Sequence, residues 1–521
     1  MQNRTFNLTF FIFSVLISIF GAIIGMQLIT TLGITPNTSI IGALIAMLFA
    51  RIPIKIFGQF KSLENQNLVQ TSISAATFGA ANSLLIPIGL PFVMGLPDLI
   101  IPMLIGAGLA LLTDALILYK VFDTKLFGAN EVWPPGVATA EALKAGDEGG
   151  KKAKYLGLGI LGGLVGSHFG ISMSAFGVAF IGNFWALSMF GIGLLLNGYS
   201  QPLFGLNLGD YYIPHGMMIG AGLVALIQFI ITFTKTRKQG GKVTDTSGYE
   251  YTRGADDIKK GFGFGFLLYL GIAILIAVMG GLITEMPFGQ LILFIIFAAF
   301  AALVHEIIVG IAAMHSGWFP AFAVTLISLL IGMILGFPPV ALALLTGFTA
   351  ATGPAFADFG YDLKSGNIIR TGVSVEQELY GRKIQLKSAF IGFIIAIVMV
   401  ALFSKNFFGQ GLVPPVDHVY ASTIKSGLSG NVGLMLLLWA IPGVIIQLIG
   451  GTERQLGIML ATGLLIMNPL AGWAVIVGLI IRVLVIKFIG SEAENKMYTT
   501  AAGFIAGDAL YSFFSSVFKA K

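Results

Sequence analysis

Apolar residues in this chain fall in long continuous runs separated by short polar stretches, and the pattern repeats from end to end. A run such as Phe10 to Ile24 predicts a helix through lipid, because crossing the hydrocarbon core takes roughly 20 apolar residues in helical form. The same continuity excludes a transmembrane β-barrel, whose strands alternate apolar and polar positions. The first run, about 6–34, is too long for the apolar stretch of a signal peptide and has no cleavage site, so it is expected to be retained. Further spans are predicted near 38–58, 66–90, 98–121, 153–172, 174–200 and 214–234, then near 262–284, 289–314, 318–336, 338–357, 386–404, 430–451, 455–489 (one span or two) and 498–518. The expected fold is all-α: a polytopic membrane helix bundle of about 14–17 spans, some of them broken or re-entrant.

The longest charged stretch, Lys235 to Lys260, reads as an extramembrane linker whose basic excess suggests the cytoplasm. It divides the chain into a first membrane repeat (1–235), a polar linker (236–261) and a second membrane repeat (262–521). The halves resemble each other. KLFGANEVWPP from Lys125 matches KNFFGQGLVPP from Lys405, Ala140-x-x-x-Lys144-x-Gly146 matches Ala421-x-x-x-Lys425-x-Gly427, and Ala75-Ala76-Thr77 stands opposite Ala350-Ala351-Thr352, all at an offset of about 280 residues. Repeated halves matter because many secondary transporters bind substrate at the repeat interface, on helices interrupted by Gly and Pro. Such interruptions fall in corresponding places here, at Asn82 to Gly95 and at Phe337 to Pro354. Ordinary proline kinks would read the same way.

Composition sharpens the membrane reading. Of 521 residues 56% are hydrophobic and only 10% charged, where a soluble domain carries about 25% charged residues. The 68 glycines predict close helix packing, since small residues let helix backbones approach in lipid. With no cysteine, disulfides, thiolate metal sites and cysteine nucleophiles are excluded. The net charge of +6 fits loops at an anionic leaflet rather than a nucleic-acid surface, so no nucleic-acid partner is expected.

Ionisable side chains at membrane depth need a partner, water or a function. Asp114, His168, His305, Glu306, His315, Asp358 and Asp508 are therefore the first candidates. His305 to Pro320 gathers two histidines, a glutamate, Ser316 and Trp318 around a glycine-interrupted helix, as a cavity lining would. His305-Glu306 is not a zinc-protease motif, which needs a second histidine at the fourth following position, where Val309 stands. Asp358 and Asp362, four apart, share a face if helical. They could form a loop ion pair with Lys364 or a proton site, but no second acidic motif completes a magnesium-diphosphate clamp. In the segment from Glu131 to Tyr155, Pro135 suits a helix first turn. There Glu141 and Lys144 either pair on a solvated surface or, with Thr139, offer polar groups at a re-entrant helix end. No Walker motif is present, so any uphill transport draws on a gradient, for which a buried carboxylate such as Glu306 or Asp358 is suited.

WPPGVATAEALKAGDEGGKKAKYLGLG at 133–159, IIVGIAAMHSGWFPAFAVT at 307–325, GYDLKSG at 360–366 and AAGFIAGDALYSFF at 501–514 are similar to signature segments of the oligopeptide transporter family. That family includes bacterial members and the plant yellow-stripe-like metal-chelate carriers. The resemblance spans nearly the whole chain and implies a multi-pass secondary importer in the cytoplasmic membrane of a prokaryotic cell. Its substrate would be a small peptide or a peptide-like metal chelate of siderophore or nicotianamine type. It implies no enzyme activity and no cofactor beyond a coupling ion, a proton with sodium as the alternative. A homo-oligomer is left open. The residues expected to meet substrate are Thr139, Glu141, Lys144, His305, His315, Ser316, Trp318, Thr349, Asp362 and Lys364, with Glu306 and Asp358 coupling the proton. The chain departs from the family pattern at Met314-His315-Ser316-Gly317-Trp318-Phe319-Pro320, where a serine-rich turn is expected, and at Tyr361, where glutamine is. A histidine and an indole in place of small hydroxyls favour an aromatic or metal-bearing ligand. An intramembrane enzyme lacks a complete set of catalytic groups, and a channel lacks a symmetric ring of selectivity groups.

Overall fold

A computed structural model describes residues 8–32, 42–43, 45–47, 58, 60–238, 249–427, 431–466, 468–490 and 493–519. Most of the span expected at 38–58, and residues 239–248 of the linker, lie outside the described residues. The first half runs α1 (Leu8–Leu32), α2 (Leu63–Phe78), a π-helical turn (Gly79–Leu85), α3 (Ile86–Met94), α4 (Ile100–Val121), α5 (Pro134–Glu148), α6 (Gly150–His168), α7 (Met173–Ile181), α8 (Phe184–Phe204) and α9 (Ile213–Lys238). The second half runs α10 (Ala255–Met279), α11 (Leu282–Glu285), α12 (Phe288–Ser316), α13 (Ala321–Ile334), α14 (Pro339–Ala351), α15 (Pro354–Ile369), α16 (Val375–Gly409), α17 (Pro415–Ser426), α18 (Val432–Arg454), α19 (Leu456–Leu465), α20 (Pro469–Ile489) and α21 (Glu494–Lys519). Among the described residues nine helices are long and apolar enough to cross a membrane, counting α2–α3 and α14–α15 as one interrupted span each. The chain is a polytopic all-α membrane bundle.

Several elements differ from the hydropathy reading for local reasons. The span expected at 174–200 is two helices, parted at Gly182-Asn183, where the Asn183 side chain accepts from the N–H groups of Trp185 and Ala186 and starts α8. The region 455–489 is also two helices, the second opened by Pro469 at its first position. Helix α16 begins eleven residues before the expected 386, under a capping box formed by Ser374 and Gln377. The interruption at Asn82 to Gly95 is a π-helical turn followed by a helix containing Pro91, without unwinding. Its counterpart breaks fully at Thr352-Gly353, ahead of Pro354.

Small residues set the closest packing, as their number predicts. Gly159 and Gly163 of α6 lie against Gly503 and Gly507 of α21, and Gly193 of α8 against Gly463 of α19. Helices of the two halves interleave: α2 packs on α15 and α16, α5 on α15 and α21, α9 on α18. The interrupted spans α2–α3 and α14–α15 are the most enclosed of the nine. Every polar residue from Gln66 to Ser74 is buried, so their hydrogen bonds have to be found inside the protein.

Candidate functional site

Ser72 pairs with Ser18 and Gln66 reaches Lys61 O within the first half, but the others bond across the halves. Helices α2 and α15 cross antiparallel, and Asn67, Gln70 and Ser74 meet Ser365, Asp362 and Asp358 in turn. The Ser74 hydroxyl lies 2.8 and 3.0 Å from the two oxygens of Asp358, Gln70 donates to Asp362 (2.5 Å), and Ser365 to Asn67 (2.6 Å). Asp358 and Asp362 thus share one helix face, as their spacing predicts. Lys364 does not pair with them. Its ammonium donates to the carbonyls of Ala129 and Glu131, both at 2.7 Å, because the following turn of α15 faces the loop before α5 rather than α2.

One residue of the α14–α15 break can only be glycine. Gly353 has φ +88°, and a Cβ there would stand 3.0 Å from His305 Nδ1 and 3.1 Å from Val309. Its N–H donates to Asp114 Oδ2 at 2.7 Å. The Tyr269 hydroxyl, from α10, lies 2.6 Å from Asp114 Oδ1 on α4 and 3.1 Å from Glu306 Oε2 on α12. All three side chains are fully buried, and Glu306 Oε1 accepts no hydrogen bond. Beside them, His305 contacts Thr352 Oγ1 through Nδ1 (3.2 Å) and Ala321 O through Nε2 (2.9 Å), with Thr325 Oγ1 3.4 Å from Nε2. Thr349 lies on the preceding turn of α14, its hydroxyl donating to Leu345 O.

The remaining expected residues are spread along the bundle. His315 is buried near the end of α12 with no hydrogen bond to either ring nitrogen, its nearest charge being Glu131 at 3.8 Å. Ser316 closes α12 with its hydroxyl 2.8 Å from both Ala312 O and Trp318 O, and the Trp318 ring lies tilted against Phe190 at 6.0 Å. On α5, Thr139 is buried with an unpartnered hydroxyl. Glu141 accepts from Thr499 at 3.2 Å, and among the described residues no Glu141–Lys144 ion pair forms. His168 is exposed, and Asp508 accepts from Ser167 (2.5 Å) and the Ser174 N–H (2.9 Å), which ties α21 to α6 and α7.

Hydropathy missed a second polar centre. Asp123, just past α4, accepts from Tyr249 (2.9 Å), Thr252 (2.5 Å) and Arg382 (3.0 Å). Arg382 also donates to Glu378 (2.8 Å), which Arg370 meets at 2.7 Å. Burial disfavours the Asp123 carboxylate, but the Arg382 guanidinium and the hydrogen bonds from Thr252, Arg382 and Tyr249 outweigh it and hold the carboxyl below its ordinary range. Residues 249–252, within the linker and just ahead of α10, are therefore docked on the bundle. The sequence hid this because Arg382 sits in GRKIQLK, which reads as a basic flank at the membrane surface. Tyr269, one hydroxyl inside an apolar run, gave no signal at all.

A helical bundle with interrupted spans at its centre, an antiparallel polar seam between them and buried acids beside the break is the architecture of a multi-pass membrane transporter. A family model described as OPT oligopeptide transporter protein matches residues 6–221 and 168–519. The chain belongs to the oligopeptide transporter family. No curated protein matches it.

Proposed function

We propose that this protein is a proton-coupled secondary importer of small peptides or peptide-like compounds in the cytoplasmic membrane of a prokaryotic cell. The observation that carries the coupling is the single Tyr269 hydroxyl within hydrogen-bond distance of two buried carboxyls. One hydroxyl proton can be donated to one acceptor. Asp114 also receives the Gly353 N–H, so it is the better anion, and the Glu306 contact is a hydrogen bond only if Glu306 carries a proton and donates to the tyrosine oxygen. The step is balanced: Glu306 O–H passes its proton to Tyr269 as Tyr269 passes its own to Asp114, which leaves Glu306 ionised and Asp114 neutral. Because the three groups sit on α12, α10 and α4 beside the Gly353 break, moving the proton changes which helices attract one another.

The seam of Ser74, Gln70, Asp358 and Asp362, with Thr139 on α5 and Lys364 on the next turn of α15 toward the loop before α5, supports a polar path for a peptide backbone. Asp358 serves there as a second acid, and Glu141 and Lys144 as outer contacts. A second reading, a metal-chelate substrate, is favoured by His315, whose buried ring nitrogens are unbonded and whose carboxylate neighbour Glu131 adds only one further donor. Uptake of di- to pentapeptides or chelates by proteoliposomes tests both. Driven uptake should be saturable, collapse with an uncoupler and ignore a sodium gradient. Glu306→Gln should abolish driven uptake while leaving counterflow exchange partly intact. Full driven uptake by folded Glu306→Gln protein removes Glu306 from the mechanism.

A further inference from the structure

Helix α17 opens with Pro414-Pro415, as α5 opens with Pro134-Pro135, but it carries an acid where its counterpart carries none. Asp417, in the first turn of α17, is fully buried, and neither of its oxygens accepts a hydrogen bond. Its carboxyl lies on the backbone of α3, so close to Gly89 that a Cβ there would overlap Asp417 Oδ2. Helix α17 packs on α3, α13 and α14, and none of these carries a titratable residue. Of the other titratable residues of α17, His418 and Lys425 are exposed and Tyr420 is buried. A carboxylate held this way would lack both a counter-ion and a donor, which is too costly to persist in an apolar interior.

We infer that Asp417 is a further proton-binding site, occupied as a neutral carboxylic acid when α17 is seated on α3 and emptied when the two part. A polar trail leads from it to the first site. Tyr420, one turn on, hydrogen-bonds Phe322 O at 3.0 Å and the Thr325 side chain. Thr325 reaches His305, His305 reaches Thr352, and the next residue, Gly353, donates to Asp114. The inference deepens the proton-coupled reading and rests on it for its role in transport, but the protonation of Asp417 is tested separately.

Infrared spectroscopy of the full-length protein in lipid separates the carbonyl stretch of a protonated carboxyl from carboxylate bands. The wild type at neutral pH should show such a band that Asp417→Asn lacks, and it should fade reversibly as the pH is raised. If no band is lost in the variant, Asp417 is ionised and the inference fails. A band that is lost in the variant but never titrates makes Asp417 a structural acid and also overturns it. Should Asp417→Asn not fold, Gly89→Ala carries the test by pushing a methyl into the seat of the carboxyl. The same band should then shift and titrate at lower pH, and an unchanged band refutes the seating. Glu306→Gln should leave this band in place, so loss of the Glu306 mechanism and loss of the Asp417 site are read apart.

Discussion

The bundle buries carboxyl groups in two different ways. Asp123 and Glu378 are met by Arg370, Arg382, Thr252 and Tyr249, with donors on every carboxylate oxygen. Asp114 and Glu306 share one tyrosine hydroxyl and have no cation in contact. The first set is electrostatically closed: both acids stay ionised, and the charges lock α16, the end of α4 and the 249–252 segment together. The second set has no cation, and Glu306 Oε1 has no donor; in the proposed mechanism its charge changes by protonation. Matched buried charge is therefore structural, and the proposed switch lies where the match is missing.

The contrast breaks most visibly in the matched set. Arg382→Ala leaves two buried carboxylates short of their guanidinium and should cost about 3–5 kcal/mol, seen as loss of folded protein or a large fall in melting temperature. Acid should act on the same set. Since Asp123 is held below its ordinary range, its contribution is complete above the unfolded value of about 3.9 and is lost as pH falls through its folded value. A pH series of melting temperatures should drop there for the wild type and flatten for Asp123→Asn. In the unmatched set the order of effects reverses. If Glu306 is the neutral acid of the proposed mechanism, Glu306→Gln swaps it for a neutral amide of the same shape and should shift stability by less than about 1 kcal/mol while driven uptake is lost. As a control, Lys152→Ala breaks the exposed Lys152–Glu148 pair (2.8 Å) and should change stability by less than about 0.5 kcal/mol. A larger change would mean that exposure does not separate these cases.

Much of this was legible beforehand. Continuous apolar runs specify helices in lipid whatever their neighbours, so the membrane helices and the short helix after Trp133 could be read directly, though not where caps and breaks divide them. Asp114 and Glu306 stood out as acids at membrane depth, because their cost there follows from the solvent alone. The shared face of Asp358 and Asp362 followed from helical spacing. Which partners these groups meet did not follow. Lys364 turned to the carbonyls of Ala129 and Glu131, and Glu141 to Thr499, because those choices depend on helices far away in the chain.

The sequence by itself determined that this is a polytopic helical membrane protein of the oligopeptide transporter family with a few costly ionisable groups in its interior. Tertiary structure alone decided which of those groups are neutralised and which are not. The reason is that desolvation acts on each residue separately, whereas its compensation comes from donors brought by other helices. Tyr269 is 37 residues from Glu306 and 155 from Asp114, and Arg382 is 259 from Asp123. No periodicity or spacing rule reaches across such distances, and only the folded bundle sets the contact.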